Sequence, residues 1–277
     1  MFTPFAFIQT IPTGGGGGGD ADATAYINAV LAAGGELSAG QQTAINTFFV
    51  DLKSDGIYSK LYIMYPFLGG VANSNKINAL NPGTYDLTFN GSWAHSTTGS
   101  NAFSQDNSTY ADTGYDINTS TANNNWTFGY IHWRNPNGSP AGYSGTGPSS
   151  NYMVVGWSGT STDVFYPGNA VITNTVATNG SFIAAVRSAS NSWKAVGMIS
   201  GSVASSGPTY SATQTTTWTA PGSTKNIYFN KINNDGFPSW GQYTFGFAAQ
   251  ALTDTEMTDL VVNVNNLQTV IGNKIFA

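Results

Sequence analysis

The sequence predicts a mainly β protein, an antiparallel sandwich with helices at both ends of the chain. Between about residues 60 and 250, short apolar or alternating segments are separated by Gly, Asn, Ser and Pro turns roughly every ten residues, which is typical of paired strands. Helical periodicity occurs only before and after this region. Because neither helical part has a core of its own, we predict one domain over residues 20–277.

Three helices are predicted from apolar periodicity and capping signals. The first spans residues 20–35, and the second begins at Ser38, which forms a capping box with Gln41. The third follows Thr253, which pairs with Glu256 in the same pattern. Helix is therefore expected at both ends of the domain and strand between them.

The strands are predicted from short apolar or alternating runs that end at turn residues. Residues 60–68 are apolar at nearly every position, which predicts a strand buried on both faces. Residues 188–191 are predicted to form a hairpin turn. The other clear strands are 84–89, 126–133, 152–157, 163–166, 181–187, 193–199, 225–232 and 243–249.

Six consecutive glycines, Gly14–Gly19, separate a short apolar peptide from the domain. Since glycine loses the most backbone entropy on ordering, we predict a tether with a reach of roughly 13 Å. The peptide of residues 1–13 is predicted to anchor the protein to a partner. The alternative is a frayed terminus with a chance glycine tract. The proposed anchor side chains are Phe2, Phe5, Phe7, Ile8 and Ile11.

Composition excludes several classes of function. Charged residues make up 8% of the chain, the net charge is −5, and Lys and Arg are not clustered, so nucleic-acid binding is not expected. No apolar run is long enough to predict a membrane span. The absence of cysteine excludes disulfides and thiolate zinc sites. The opening residues lack the basic residues of a secretory signal, so we expect release by cell lysis, as for virion components. The alternative is a leaderless or truncated secreted protein.

Four short motifs stand near the two ends of the predicted domain: YPFLGG at 65–70, KINALNP at 76–82, LTFNG at 87–91 and ALTDTE at 251–256. Together they resemble the concanavalin A-like (laminin-G/glucanase-type) domain of phage virion proteins. The resemblance covers residues 20–272, although residues 100–240 match only as a rhythm of strands. It implies a jelly-roll sandwich of two curved sheets, with the helices packed on an edge.

The resemblance does not imply catalysis. Related glucanases carry paired carboxylates on one strand, since one group attacks or activates water while the other protonates the leaving oxygen. This chain has two glutamates, Glu36 before the second predicted helix and Glu256 in a capping box. No predicted strand carries two nearby acids. We therefore predict that the protein is not an enzyme of this type.

Aromatic residues on the predicted strand 126–133 are candidates for carbohydrate binding, because their rings can stack on sugars. Trp126, Tyr130 and His132 share one face of this strand, and Tyr143 and Tyr152 stand at the polar loop of residues 135–151. The alternative is that the aromatic row is half of the sandwich core and that the loop is a solvated connector.

Acidic residues in a predicted loop, 105–118, are candidates for a calcium site. Asp106, Asp112 and Asp116 offer the hard oxygen ligands that Ca²⁺ prefers. Their spacing matches no calcium loop, and the alternative is that they are ordinary turn acids. No other cofactor is expected.

These features together predict a phage virion structural protein on the outer surface of the particle: a spike, tail-fibre or capsid decoration subunit. Residues 1–13 would bind a shell, vertex or neighbouring subunit, and the sandwich would contact the host surface, with a glycan as the expected ligand. A homo-oligomer is expected, and a trimer is common among display proteins. The alternatives are a glycan depolymerase on the same fold and a decoration protein with no host ligand.

Overall fold

The computed structural model describes residues 19–96, 99–102, 109–116, 125–133, 144–146, 153–158, 162–167, 172–175, 181–189, 192–199, 210–214, 226–230, 241–270 and 272. Within these ranges the chain forms fifteen strands and four helices. The predicted mainly β class, with helices before and after the strands, is therefore confirmed.

The helices begin where the capping signals predict. Ser38 Oγ accepts from the backbone N–H of Gln41 at 3.3 Å, and Gln41 Oε1 accepts from the N–H of Ser38 at 2.8 Å, which completes the predicted box. The one-turn helix at Ala72–Asn75, which follows the first strand, was not predicted. The helices are α1 (Ala21–Ala32), α2 (Ala39–Ser54), α3 (Ala72–Asn75) and α4 (Asp254–Val270).

The first sheet contains eight strands: β1 (Leu61–Tyr65), β3 (Trp93–Ser96), β4 (Gly99–Ala102), β6 (Trp126–Trp133), β11 (Ser181–Ala189), β12 (Ser192–Ile199), β13 (Tyr210–Gln214) and β15 (Gly241–Ala249). Their order is β13-β12-β11-β6-β15-β4-β3, and β1 pairs with β15. Every pairing is antiparallel. The strand predicted at 126–133 lies at the centre of this sheet.

The second sheet contains seven strands: β2 (Thr88–Asn90), β5 (Tyr110–Asp116), β7 (Ser144–Thr146), β8 (Met153–Ser158), β9 (Thr162–Pro167), β10 (Ile172–Thr175) and β14 (Asn226–Phe229). Their order is β10-β9-β8-β7-β14-β5-β2, again antiparallel. Two predicted loops are therefore wrong in part, because 105–118 contains β5 and 135–151 contains β7.

The two sheets pack face to face around an aromatic core, so the predicted β-sandwich is confirmed. Phe229 of the second sheet lies 6.1 Å from Phe128 and 5.4 Å from Tyr243 of the first sheet, measured between ring centroids. Gly246 allows this approach, because a Cβ there would lie 2.4 Å from Phe229 Cζ. Side chains alternate along each strand, so the opposite face of each sheet remains to be covered or solvated.

Helices α1, α2 and α4, here called the helical layer, cover the other face of the first sheet. Phe48 of α2 packs perpendicular to Phe245 of β15 at 6.1 Å, and Met257 of α4 belongs to the same buried cluster. The expectation that the helices pack on an edge of the sandwich is therefore wrong. The strands of this sheet are apolar on both faces, as in the segment 182–186, so both faces must be removed from water.

Ion pairs connect the helical layer to itself and to the first sheet. Lys53 of α2 lies 2.7 Å from Asp20 and 2.6 Å from Asp22 at the start of α1. Lys60, immediately before β1, pairs with Glu256 of α4.

Of the helices in the described ranges, none has both the length and the apolar character that a membrane span requires.

Candidate functional site

The aromatic row on β6 belongs to the core. Trp126 is 1% exposed and Tyr130 is 0% exposed, and both pack between the sheets. Their assignment to a carbohydrate site is therefore wrong, because alternate positions of this central strand point at the second sheet. For His132 the structure describes the backbone, which pairs with Tyr243 and Ser181. Tyr143 and Tyr152 lie outside the described residues.

The outer surface of the second sheet carries a different aromatic group. Along β14, Ile227 and Phe229 are buried in the core while their neighbours are only partly buried. Along β5, Ala111 is likewise buried between two partly buried residues. Alternation places these neighbours on the face away from the core. We call them the tyrosine face: Tyr110, Asp112, Asn226 and Tyr228.

Two aromatic rings and a polar pair make up the tyrosine face. The rings of Tyr110 and Tyr228 lie 5.8 Å apart at 76°. Beside them, Asn226 Nδ2 donates to Asp112 Oδ1 at 2.9 Å and to Oδ2 at 3.2 Å. The backbone N–H of Gly114 donates to the same Oδ1 at 2.8 Å, from a left-handed conformation (φ 63°) that favours glycine. Backbone and side-chain donors thus orient the carboxylate.

The electrostatics of this face keep Tyr228 available as a hydrogen-bond donor. Partial burial, followed by the negative charge of Asp112 and the neighbouring Tyr110, raises the pKa of Tyr228. The phenol therefore remains protonated at neutral pH. Rings that offer flat apolar surface, together with a carboxylate, an amide and a hydroxyl, suit a ligand that has both apolar faces and hydroxyl groups.

The second sheet also places two acids on one strand. Asp112 and Asp116 both lie on β5, four residues apart, in a segment that the sequence predicted to be a loop. The two glutamates lie off the sheets, as predicted. Glu36 is exposed between α1 and α2, and Glu256 accepts from the N–H of Thr253 at 2.9 Å in the capping box of α4.

The calcium hypothesis involves a residue, Asp106, that lies outside the described part of the chain. Asp112 is already bonded by Asn226 and Gly114, and Asp116 is buried. Within the described ranges, no three His, Asp or Glu side chains are grouped so that they could hold a metal ion. The anchor residues Phe2, Phe5, Phe7, Ile8 and Ile11 also lie outside the described residues.

No protein-family model and no curated protein matches the sequence. Among solved structures, a Trypanosoma rangeli sialidase mutant with trans-sialidase activity aligns at 9% identity and a TM-score of 0.51, over 82% of this chain and 40% of its own. A GH54 α-L-arabinofuranosidase aligns at 12% identity and a TM-score of 0.44, over 75% of this chain and 48% of its own. Domain 4 of a GH43 arabinanase from Geobacillus stearothermophilus, solved with arabinotriose, aligns at 14% identity and a TM-score of 0.44. The alignment covers 73% of this chain and 98% of that domain.

This chain thus spans less than half the length of the sialidase and the arabinofuranosidase. At these identities the likeness concerns the fold alone. The match to the sialidase mutant agrees with the β-sandwich described above. The activities of these proteins are their own, and the chemistry of the present chain has to be argued from its residues.

Proposed function

We propose that this protein is a phage virion structural protein, a spike, tail-fibre or decoration subunit, that displays a concanavalin A-like jelly roll and binds a host-surface glycan through its tyrosine face. The proposal depends on one observation above all. The tether joins the domain in the helical layer, and the tyrosine face lies on the opposite side of the sandwich.

The exit point of the tether is fixed by contacts within the helical layer. The backbone N–H of Asp20 donates to Asn46 Oδ1 of α2 at 2.7 Å, and the Asp20 carboxylate pairs with Lys53 of the same helix. Gly19 therefore lies beside α2. The first sheet and the second sheet both separate this point from Tyr110 and Tyr228. A partner bound through residues 1–13 would leave the tyrosine face unobstructed.

The motifs of the resemblance also support the display role. Asn78, within KINALNP, accepts from the N–H of Met64 in β1 at 3.0 Å and donates to the carbonyl of Thr84 at 3.0 Å. These residues therefore form a connection built against the first sheet, as expected if they define a common domain type. On this proposal the protein assembles as a homo-oligomer, of which a trimer is one candidate state, and its domain is held at the particle surface.

Deletion of residues 1–13 tests the anchor. We expect the deleted protein to keep its β-sheet circular dichroism and its unfolding midpoint, and to be lost from purified particles. A matched control keeps the length and replaces Phe2, Phe5 and Phe7 by serine, which removes apolar surface only. If either form still occupies particles at the wild-type level, the anchor proposal is wrong.

A second candidate function is glycan cleavage, which the two aspartates on β5 favour. Paired carboxylates are the groups that glycoside hydrolysis requires. Under this alternative, digestion of a host glycan would release new reducing ends, and Asp112→Asn would abolish them. Binding without cleavage favours the attachment role. A glycan array without binding above background would instead indicate a decoration protein that has no host ligand.

A further inference from the structure

A groove that is open to solvent lies between helices α2 and α4 of the helical layer. One end of it is lined by Asp51 of α2 and Asn263 of α4, and the other end by Gly40 and Val270. The two helices are therefore antiparallel along it, in agreement with the bond from Asn263 Nδ2 to Asp55 Oδ2 at 2.9 Å. From Gly40 to Asp51 the axis of α2 rises about 16 Å. An extended peptide of about five residues has the same length.

The floor of the groove is apolar. Ala44 and Phe48 of α2 and Leu267 of α4 line it, and Phe48 and Leu267 are buried. At one end Val270, an apolar residue, is 51% exposed. The groove has a volume of about 240 Å³, which is below the roughly 300–1,000 Å³ of most small-molecule sites. It therefore suits one or two apolar side chains of a peptide better than a small-molecule ligand.

The chain enters the domain beside this groove. The N–H of Asp20 donates to Asn46 Oδ1 at 2.7 Å, and the next residue of α2, Thr47, lines the groove. Gly19 therefore lies within about one helix diameter, 10–12 Å, of the groove. The five glycines before it have an r.m.s. reach of about 12 Å and a fully extended length of about 18 Å. Residues 1–13 are thus linked closely enough to reach the groove of their own domain.

The peptide of residues 1–13 matches the groove in chemistry. It contains the three phenylalanines and two isoleucines named above as anchor residues, and it has no charged side chain. Its burial would therefore leave no charge without a partner. A flexible link this short gives an effective concentration of about 1 mM, so even a weak contact forms within one molecule. A second copy would have to reach a similar concentration to compete.

We infer that, in the free protein, residues 1–13 bind the groove between α2 and α4 of their own chain, with their apolar side chains over Ala44, Phe48 and Leu267. The contact covers the peptide until a partner of higher affinity removes it. On the proposed function that partner is a particle protein, which has to compete with the groove for the same side chains. The groove and the tether carry this inference, so its test needs only the purified protein.

Disulfide trapping is the test, because the natural chain has no cysteine. Gln9→Cys combined with Asn266→Cys puts one thiol in the peptide and one on the α4 rim of the groove. The control combines Gln9→Cys with Val50→Cys. Val50 is 46% exposed, stands one helical turn from Asn46 and is not among the residues that line the groove. An unbound peptide would reach Val50 at least as easily as Asn266. Both positions are exposed, so both variants should fold.

Oxidation of the dilute full chain should link positions 9 and 266 about tenfold faster than positions 9 and 50. The linked product should be monomeric on non-reducing electrophoresis, and its rate of formation should not depend on protein concentration. Replacement of Phe2, Phe5 and Phe7 by serine in the first pair should remove its advantage.

Equal rates for the two pairs would overturn the inference, as would an advantage that survives the serine replacements. Linked dimers would overturn it too, because they would assign the groove to the peptide of a second copy. Each of these results leaves the attachment role of residues 1–13 standing, since that role is tested on particles by the deletion described above.

Discussion

The two outer surfaces of the sandwich differ in the residues that they carry and in what covers them. The outer face of the first sheet is apolar and lies under three helices, where Phe245 packs against Phe48 of α2. The outer face of the second sheet carries partly buried tyrosines and an oriented Asp112–Asn226 pair. One side has contacts that stabilise the fold, whereas the other has groups that are suited to a ligand.

On the proposed function, this difference separates ligand binding from stability. The helices cover the outer face of the first sheet, and Gly19, the residue from which the proposed tether would continue, lies beside α2 on that side. On the second sheet, the described residues of the tyrosine face lie on the side away from the core. Substitutions on the two sides should therefore have opposite effects on stability and on binding.

The largest effect is expected for Phe245→Ala in the helix-covered face. The ring is fully buried, so the cavity should lower the free energy of unfolding by about 3–5 kcal/mol, measured by urea denaturation. Glycan affinity should be unchanged under conditions where the variant remains folded. Loss of affinity in the folded variant would show that the two sides are coupled.

The second prediction compares a tyrosine-to-alanine substitution on the tyrosine face with one on the helical side of the molecule. Tyr228→Ala should abolish glycan binding and change the free energy of unfolding by less than about 1 kcal/mol, since a cross-strand pair contributes little. Tyr58→Ala should leave glycan binding unchanged and lower the free energy of unfolding by about 2 kcal/mol. The Tyr58 ring contacts the ring of Phe49 at 5.8 Å and Lys53 Nζ at 4.7 Å, and both contacts would be lost. Titration and urea denaturation of both variants measure these effects. Equal losses of binding would contradict the assignment.

The stability that the helical layer contributes should also decrease at acidic pH. Burial opposes ionisation of Glu256, but its bonds to Lys60 and Thr253 outweigh this and lower its pKa below the ordinary 4.5. The unfolded state therefore takes up the proton first, and stability is lost as the pH falls from 4.5 through the lower folded-state value. Glu256→Gln should cost about 1 kcal/mol at pH 7, with the difference disappearing in that window. As a control, substitution of the exposed Glu36 by Gln should leave the free energy of unfolding at pH 7 unchanged.

The smallest expected effect is a substitution that leaves the free energy of unfolding unchanged or raises it. The hydroxyl of Tyr26 in α1 is fully buried and makes no hydrogen bond with the residues that the structure describes. Tyr26→Phe should therefore leave the free energy of unfolding unchanged or raise it by up to about 1 kcal/mol. Tyr65→Phe is the control, because its hydroxyl donates to the carbonyl of Tyr85 at 2.6 Å, and it should destabilise. Thermal denaturation of both variants shows whether each substitution raises or lowers the stability of the fold.

Local signals in the sequence were sufficient for the three long helices, α1, α2 and α4, and for the central strand β6. The capping boxes at Ser38 and Thr253 depend on residues three apart, and β6 is a local run rich in aromatic residues, WTFGYIHW. β5 was missed because Asp112, Gly114 and Asp116 are turn residues by composition. Their strand forms by pairing with β14, more than one hundred residues later in the chain, and no local pattern records that contact.

The candidate site was misplaced for a related reason. Strand β6 has aromatic residues on its inward face, and periodicity does not reveal which face of a strand meets the other sheet. Only the packing of Phe229 against Phe128 shows that this face is core. The alternation of Asn226–Phe229 was a usable signal, because it places Tyr228 opposite the buried Ile227 and Phe229.

Cryo-electron microscopy of purified particles that contain this protein tests the central proposal most directly. The two-sided arrangement predicts density for residues 1–13 against a shell or vertex protein, the helical layer towards the particle and the tyrosine face towards solvent. A tyrosine face packed against the particle, or particles that lack the protein, would contradict it.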